Sequence, residues 1–258
     1  MPLTNENYFN PENQMKYMGV SQFKAFEKCP ASALAVEVKG EYVLPKSKAL
    51  LVGSYIDAHF EGTLDIFQAQ HPELFKRDGN LKSEYIQAEQ IINYLENDDL
   101  FMEYMSGEKQ VIMTGKIEDV DVKIKVDSLL PDKIVDLKIM RDFEPIYIPE
   151  KGRLNFIEAW EYDLQGAVYQ EIVRQNTGKK LPFFIAAGTK EADGPDKKII
   201  EIPQSYLDVE LERFKEKVTY FDAIKKGFIE PERCEHCTFC KATKVLTEPT
   251  NLEALEYE

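Results

Sequence analysis

Between Glu108 and Met140 the chain reads as three Val- and Ile-rich runs, EKQVIMTGKI, EDVDVKIKVDSLL and PDKIVDLKIM, punctuated by short polar turns. Alternating β-branched residues bounded by Gly, Asp and Pro are strand signals, and connections this short favour an antiparallel meander. A sheet of this kind needs cover, and the flanking sequence offers helices. Ser21–Cys29 reads as a short helix capped by Ser21 and stopped near Pro30. Residues 47–61 carry apolar side chains at 49, 52, 56 and 60, one helical face. Further helices are predicted from about Ser83 to Glu96 and up to Gly107. After the strands, residues 157–176 return to a helix with Gly178 as its stop signal. PFFIAAG and KKIIEIP predict two more strands, and Ser205–Asp208 opens a last helix to about Lys226 in a capping-box pattern. Without a repeat or a long linker, 1–258 reads as a single mixed α/β (α+β) domain, with 1–18 and 243–258 as tails.

Composition narrows the class. There are 32 Lys+Arg against 46 Asp+Glu, a formal net charge of −14, and 43% of residues are hydrophobic. That is enough to bury a core, which excludes disordered and collagen-like chains. No stretch approaches the ~20 apolar residues of a membrane span. The N-terminus lacks a basic and then apolar leader, so the expected location is cytoplasmic. The acidic balance disfavours a broad nucleic-acid-coating surface, but it leaves room for a local basic channel or a carboxylate metal site.

Such a carboxylate site is legible in the third hairpin. With the turn centred on Pro131-Asp132, Asp127 and Asp136 fall directly opposite each other, their Cβ atoms ~5 Å apart. Lys138 points to the same face, two residues beyond Asp136. Two carboxylates this close repel, and a divalent cation relieves the conflict; oxygen ligands suit Mg²⁺ or Mn²⁺. The neighbouring lysine can orient a water or neutralise developing charge. The bland alternative is solvent-facing charge on an ordinary hairpin, which the apolar Ile134, Val135, Leu137 and Ile139 disfavour, since they indicate a strand buried on both faces.

Asp127 followed by Asp136-Leu137-Lys138 resembles the metal-binding core of the PD-(D/E)XK nucleases. Two further motifs point to the RecB-type branch of that superfamily. Gln165-Gly-Ala-Val-Tyr169 matches its Gln-x-x-x-Tyr motif, with both side chains on one helical face. Gly53-Ser-Tyr-Ile-Asp-Ala-His59 resembles the helix that carries its metal-ligand histidine. Glu108 matches a position where related phage exonucleases place a further acid, and Ser21–Pro30 looks like the branch's opening motif. The likeness runs over about 18–242 and is nearest to the RecE-like exonuclease VIII group of phages and prophages. It implies a restriction-endonuclease-like core, a central mixed sheet flanked by helices. The implied metal ligands are His59, Asp127, Asp136 and the backbone carbonyl of Leu137, with Glu108 as a further candidate; Lys138, Gln165 and Tyr169 complete the catalytic set. The literal Pro131-Asp132 lies in the turn and is a decoy.

The resemblance further implies a Mg²⁺- or Mn²⁺-dependent exodeoxyribonuclease acting on linear duplex DNA in recombination or repair. The partners it implies are further copies of the chain, in a ring, and a single-strand annealing protein. An inert DNA-binding or assembly module and an iron–sulfur protein are the rival readings. All four cysteines fall at Cys29 and in Cys234-Glu-His-Cys237-Thr-Phe-Cys240. In a reducing compartment this clustering favours a metal over disulfides. Some RecB-type nucleases hold a 4Fe-4S cluster with one upstream and three C-terminal cysteines, which implies that cofactor here. Zinc with His236, and packed thiols without metal, remain open alternatives.

Overall fold

The computed structural model describes residues 2–44, 48–149, 151–191, 193–249 and 251–252. Its helices begin with α1 (Pro11–Lys16), α2 (Val20–Lys28) and α3 (Pro30–Ala33), the last running into a π-turn at Leu34–Val38. Next come α4 (Lys48–Glu61), α5 (Leu64–Gln70), α6 (Ser83–Glu96) and α7 (Asp99–Tyr104). Ser47, the expected first residue of the fourth helix, lies outside the described residues. The meander follows as β1 (Glu108–Ile117), β2 (Val120–Leu129) and β3 (Ile134–Met140). A small hairpin, β4 (Ile146–Ile148) with β5 (Gly152–Leu154), stands apart from the main sheet. The chain then forms α8 (Phe156–Ala159), α9 (Tyr162–Thr177), β6 (Phe183–Thr189), β7 (Lys197–Glu201), α10 (Gln204–Lys225) and α11 (Thr238–Ala242).

The main sheet runs β1-β2-β3-β6-β7, antiparallel except where β3 lies parallel to β6. That parallel step requires a crossover, and α9 provides it. The sheet is therefore mixed and covered on both faces. On one face α2, α9 and α10 contribute Phe23, Phe26, Ile172, Phe214 and Phe221 to a core with Val122, Ile124 and Ile185. On the other, α4 and α6 pack Tyr55, Ile56, Ile91 and Leu95 against Val135, Leu137 and Ala186. Ile134 of β3 joins the first core and its neighbour Val135 the second, as expected of a strand buried on both sides.

Several local expectations change. Gly19 and not Ser21 caps α2, and Pro203 precedes α10 without any side-chain cap, so neither capping pattern forms. The helix expected over 157–176 breaks at Trp160-Glu161, where Glu161 takes φ +55°. The segment expected as an N-terminal tail instead packs: Tyr8 and Met18 are buried. Met18 N–H donates to the Asp121 carbonyl at 2.8 Å, and the Met18 carbonyl accepts from Lys123 N–H at 3.0 Å. The expected C-terminal tail is irregular and exposed over 244–249, and part of it lies outside the described residues.

Candidate active site and cysteine cluster

The site forms where two strands part. β2 and β3 pair at Ser128–Val135 and Leu129–Ile134, the register that sets Asp127 opposite Asp136. Beyond that point no pairing between them continues among the described residues. In its place Asp127 reaches across the fork, its Oδ2 accepting from Leu137 N–H at 2.9 Å. The fork opens into a cavity of about 300 Å³ whose lining includes Asp127, Asp136, Leu137, Lys138, Gln165 and Tyr169. The packed N-terminal segment closes its rim with Tyr8 and Phe9.

Each of those side chains is held by the fold. Asp136 is only 2% exposed, and Gln165 Nε2 on α9 donates to its Oδ1 at 2.6 Å. Its Oδ2 ion-pairs with the Lys138 ammonium yet has no well-aligned hydrogen bond. Burial pushes the Asp136 carboxyl up; Lys138 opposes that, and nearby Asp127 adds to it. For Lys138 burial alone would favour the neutral amine, but Asp136 and Asp127 reverse this and keep it a cation. The ammonium also sits 5.2 Å from the centre of the Tyr162 ring. Tyr169 stays a phenol, since its burial strongly disfavours phenolate.

Asp57, Glu61, Lys24 and Gln110 are part of this neighbourhood, and none is apparent from the hairpin alone. Asp57 and Glu61 lie four apart on α4 and share the face that lines the cavity. Burial, reinforced by Asp127 and opposed by Lys138, raises the Asp57 carboxyl to about 7. Glu61 is raised as well, by burial, with Lys125 opposing. Lys24 projects from α2, where burial lowers its ammonium to about 8 against the pull of Glu161. Gln110 falls opposite Asp127 in a register that pairs Lys109 with Ser128 and Val111 with Val126. It takes a left-handed φ of +53°, costly for a residue with a Cβ. From there its Nε2 donates to Asp127 Oδ1 at 3.1 Å, while its buried Oε1 has no partner.

Two expected ligands fall elsewhere. His59 follows Asp57 by two residues, about 200° around the helix, and so points off the shared face. Its Nε2 lies 2.7 Å from Glu96 Oε1 on α6, a surface pair. Glu108 sits at the exposed start of β1, opposite Leu129, and borders a different hollow beside Leu130 and Pro131. Asp132 stays in the turn and pairs with Lys133.

The converging donors are carboxylate and amide oxygens, the set that a hard divalent cation prefers. Buried Gln110 Oε1 has no hydrogen-bond partner and buried Asp136 Oδ2 has only the Lys138 ammonium, so both retain lone pairs that fit such an ion. Asp57, Asp127 and Asp136 crowd one cavity, and the first and last are driven towards their neutral forms. A bound cation would relieve that repulsion.

At the other end of α2, the four cysteines meet. The sulfurs of Cys29, Cys234, Cys237 and Cys240 all lie within 4.8 Å of one another. Cys29 and Cys240 are buried, with Phe239 packed alongside. The cluster can hold a metal ion, and exposed His236 is not part of it.

Known proteins agree with this architecture. The crystal structure of a "Putative exonuclease" from Eubacterium rectale superposes with a TM-score of 0.94 at 44% identity, covering 100% of this chain and 99% of that one. That of SSO0001 covers 77% of this chain and 86% of that one at 12% identity, with a TM-score of only 0.28. No curated protein matches the sequence. Residues 19–243 match the family described as "PDDEXK-like domain of unknown function (DUF3799)". With its forked sheet, its aspartate pair and its flanking lysine in place, the chain belongs to that PDDEXK-like family.

Proposed function

We propose that this protein is a divalent-metal-dependent nuclease that hydrolyses DNA phosphodiester bonds, working inward from the ends of linear duplexes. One observation carries the reading: buried Asp136, its Oδ2 paired only with the Lys138 ammonium, lines one cavity with Asp127 and Asp57. In this reading Asp57, Asp127, Asp136 and the Leu137 carbonyl hold Mg²⁺ or Mn²⁺. When bound, the ion supplies a water acidic enough to act as nucleophile and charge to stabilise the scissile phosphate. Lys138, kept cationic by its aspartates, orients the attacking water and offsets charge building on the phosphate oxygens. Gln165 fixes the orientation of Asp136, and Tyr169 walls the same cavity. Lys24 and Lys125 line it too and provide the local positive charge that a chain of net charge −14 needs against a polyanion.

The preference for ends is supported by the similarity to the "Putative exonuclease" of Eubacterium rectale. Self-association into a ring around DNA, cooperation with an annealing protein and a role in recombination rest on the sequence resemblance alone. Incubating the protein with linear and with circular duplex DNA tests the proposal. Linear DNA should disappear with Mg²⁺ or Mn²⁺ and persist with chelator, while closed circles survive. Folded, metal-replete protein that cleaves neither DNA nor RNA would sink the nuclease reading and leave the inert binding module.

A further inference from the structure

We infer that the four cysteines bind a single tetrahedral zinc ion rather than a 4Fe-4S cluster. Around one zinc with Zn–S bonds of ~2.3 Å, tetrahedral geometry sets the sulfurs ~3.8 Å apart. Here Cys29 and Cys240 sulfurs stand 3.6 Å apart and Cys234 and Cys240 sulfurs 4.0 Å, with every pair inside 4.8 Å. A cubane gives each thiolate its own iron on a separate corner, which holds the four sulfurs roughly 6 Å apart. The pocket between these sulfurs fits one ion and is too tight for the cubane.

The local backbone suits thiolates. Cys237 N–H points at Cys234 Sγ at 3.3 Å, and Cys240 N–H at Cys237 Sγ at 3.4 Å. Two successive Cys-x-x-Cys turns thus aim N–H groups at sulfur, the arrangement that stabilises negative charge there. Four thiolates on one zinc leave two net negative charges. The Arg233 guanidinium, which donates to the Cys240 carbonyl at 2.7 Å, lies close enough to feel the Cys240 and Cys29 sulfurs. His236 remains exposed, so Cys29 takes the ligand position that a histidine could have filled.

The site also has a mechanical consequence. Cys29 ends α2 and opens α3, and the Ala31 N–H donates to the Glu232 carbonyl at 3.0 Å. Zinc therefore clips the C-terminal segment to the helix whose other end brings Gly19, Val20 and Lys24 to the carboxylate cavity. Its binding free energy adds to the stability of the fold.

Elemental analysis of the full-length protein, purified anaerobically without chelator, tests this inference. The expected result is about one zinc per chain, no iron and no visible colour. Zinc should remain in Asp127→Asn and His236→Ala and be lost from Cys234→Ser, which should melt several degrees lower. Should Cys234→Ser fail to fold, exchange of the native protein with Co²⁺ answers the same question through the visible absorption of a tetrahedral four-thiolate site. Brown protein with iron and acid-labile sulfide, a single iron in place of zinc, or neither metal would each overturn the inference.

Discussion

Asp57 and His59 are two residues apart, and they part company on helical geometry alone. A chain placed on α4 at 100° per residue cannot aim both at one ion. Only Asp57 lines the cavity, and His59 is occupied by Glu96. The proposed chemistry therefore predicts opposite outcomes at neighbouring positions. Asp57→Asn should cut metal-dependent DNA hydrolysis by about 100-fold or more, and His59→Ala should leave it within about threefold of wild type. Steady-state cleavage of linear duplex DNA decides between them, with circular dichroism confirming that both variants fold. Lys138→Ala and Asp136→Asn belong with Asp57→Asn. Asp132→Ala should stay active, because the turn aspartate faces solvent.

At the scale of elements, α9 carries Gln165 to Asp136 while packing closely against Phe183 of β6 and Leu207 of α10. Gly166 permits that approach. A Cβ there would stand 2.6 Å from a Phe183 ring carbon and 2.9 Å from a Leu207 methyl, contacts that real side chains do not make. Gly166→Ala should lower stability by about 1–3 kcal/mol, read as an earlier urea midpoint. It should also lower activity in the folded fraction by shifting Gln165 from Asp136 Oδ1. Gln165→Ala then distinguishes the two effects, since it should lower activity with little change in the urea midpoint. An unchanged midpoint in Gly166→Ala would mean that α9 can move outward at little cost.

At the scale of the whole molecule, the N-terminal segment and α10 are tied through a buried cation. Lys225 is 3% exposed and donates to the Tyr17 carbonyl at 2.8 Å and Gln22 Oε1 at 3.0 Å. Burial lowers its ammonium to about 7, with Asp222 opposing and Lys123 assisting. The unfolded chain keeps this proton up to about 10.5, so between those values it binds more protons than the folded chain. Stability should rise with pH across that window, by at most about 1.4 kcal/mol per pH unit from this group. Burial lowers Lys123 to about 8, which adds a rise of the same sign above that pH. Urea titrations from pH 7 to 10 should show the rise, and Lys225→Met should flatten the part below pH 8. Identical slopes for the variant and the wild type would reject Lys225 as its source.

Local sequence is enough wherever neighbours along the chain decide geometry. The three strands, their turn at Pro131-Asp132 and the placing of Asp127 against Asp136 follow from period-two patterning and turn chemistry, so the carboxylate pair and Lys138 are legible in the sequence alone. The same holds for Gln165 and Tyr169, four apart on one helix and both at the cavity. Contacts between distant segments are not legible in this way. Which face of α4 meets the fork depends on how α4 packs on β3 and α6, and that selects Asp57 over His59. The burial of Tyr8 and Met18 depends on a bridge to β2 that no local pattern announces. The left-handed Gln110 and the spacing of the four sulfurs arise only when segments up to 211 residues apart are brought together. Periodicity is a property of neighbouring residues, whereas a site is a property of packing, and the packing chose which of the many acids, lysines and thiols in this chain would face one another.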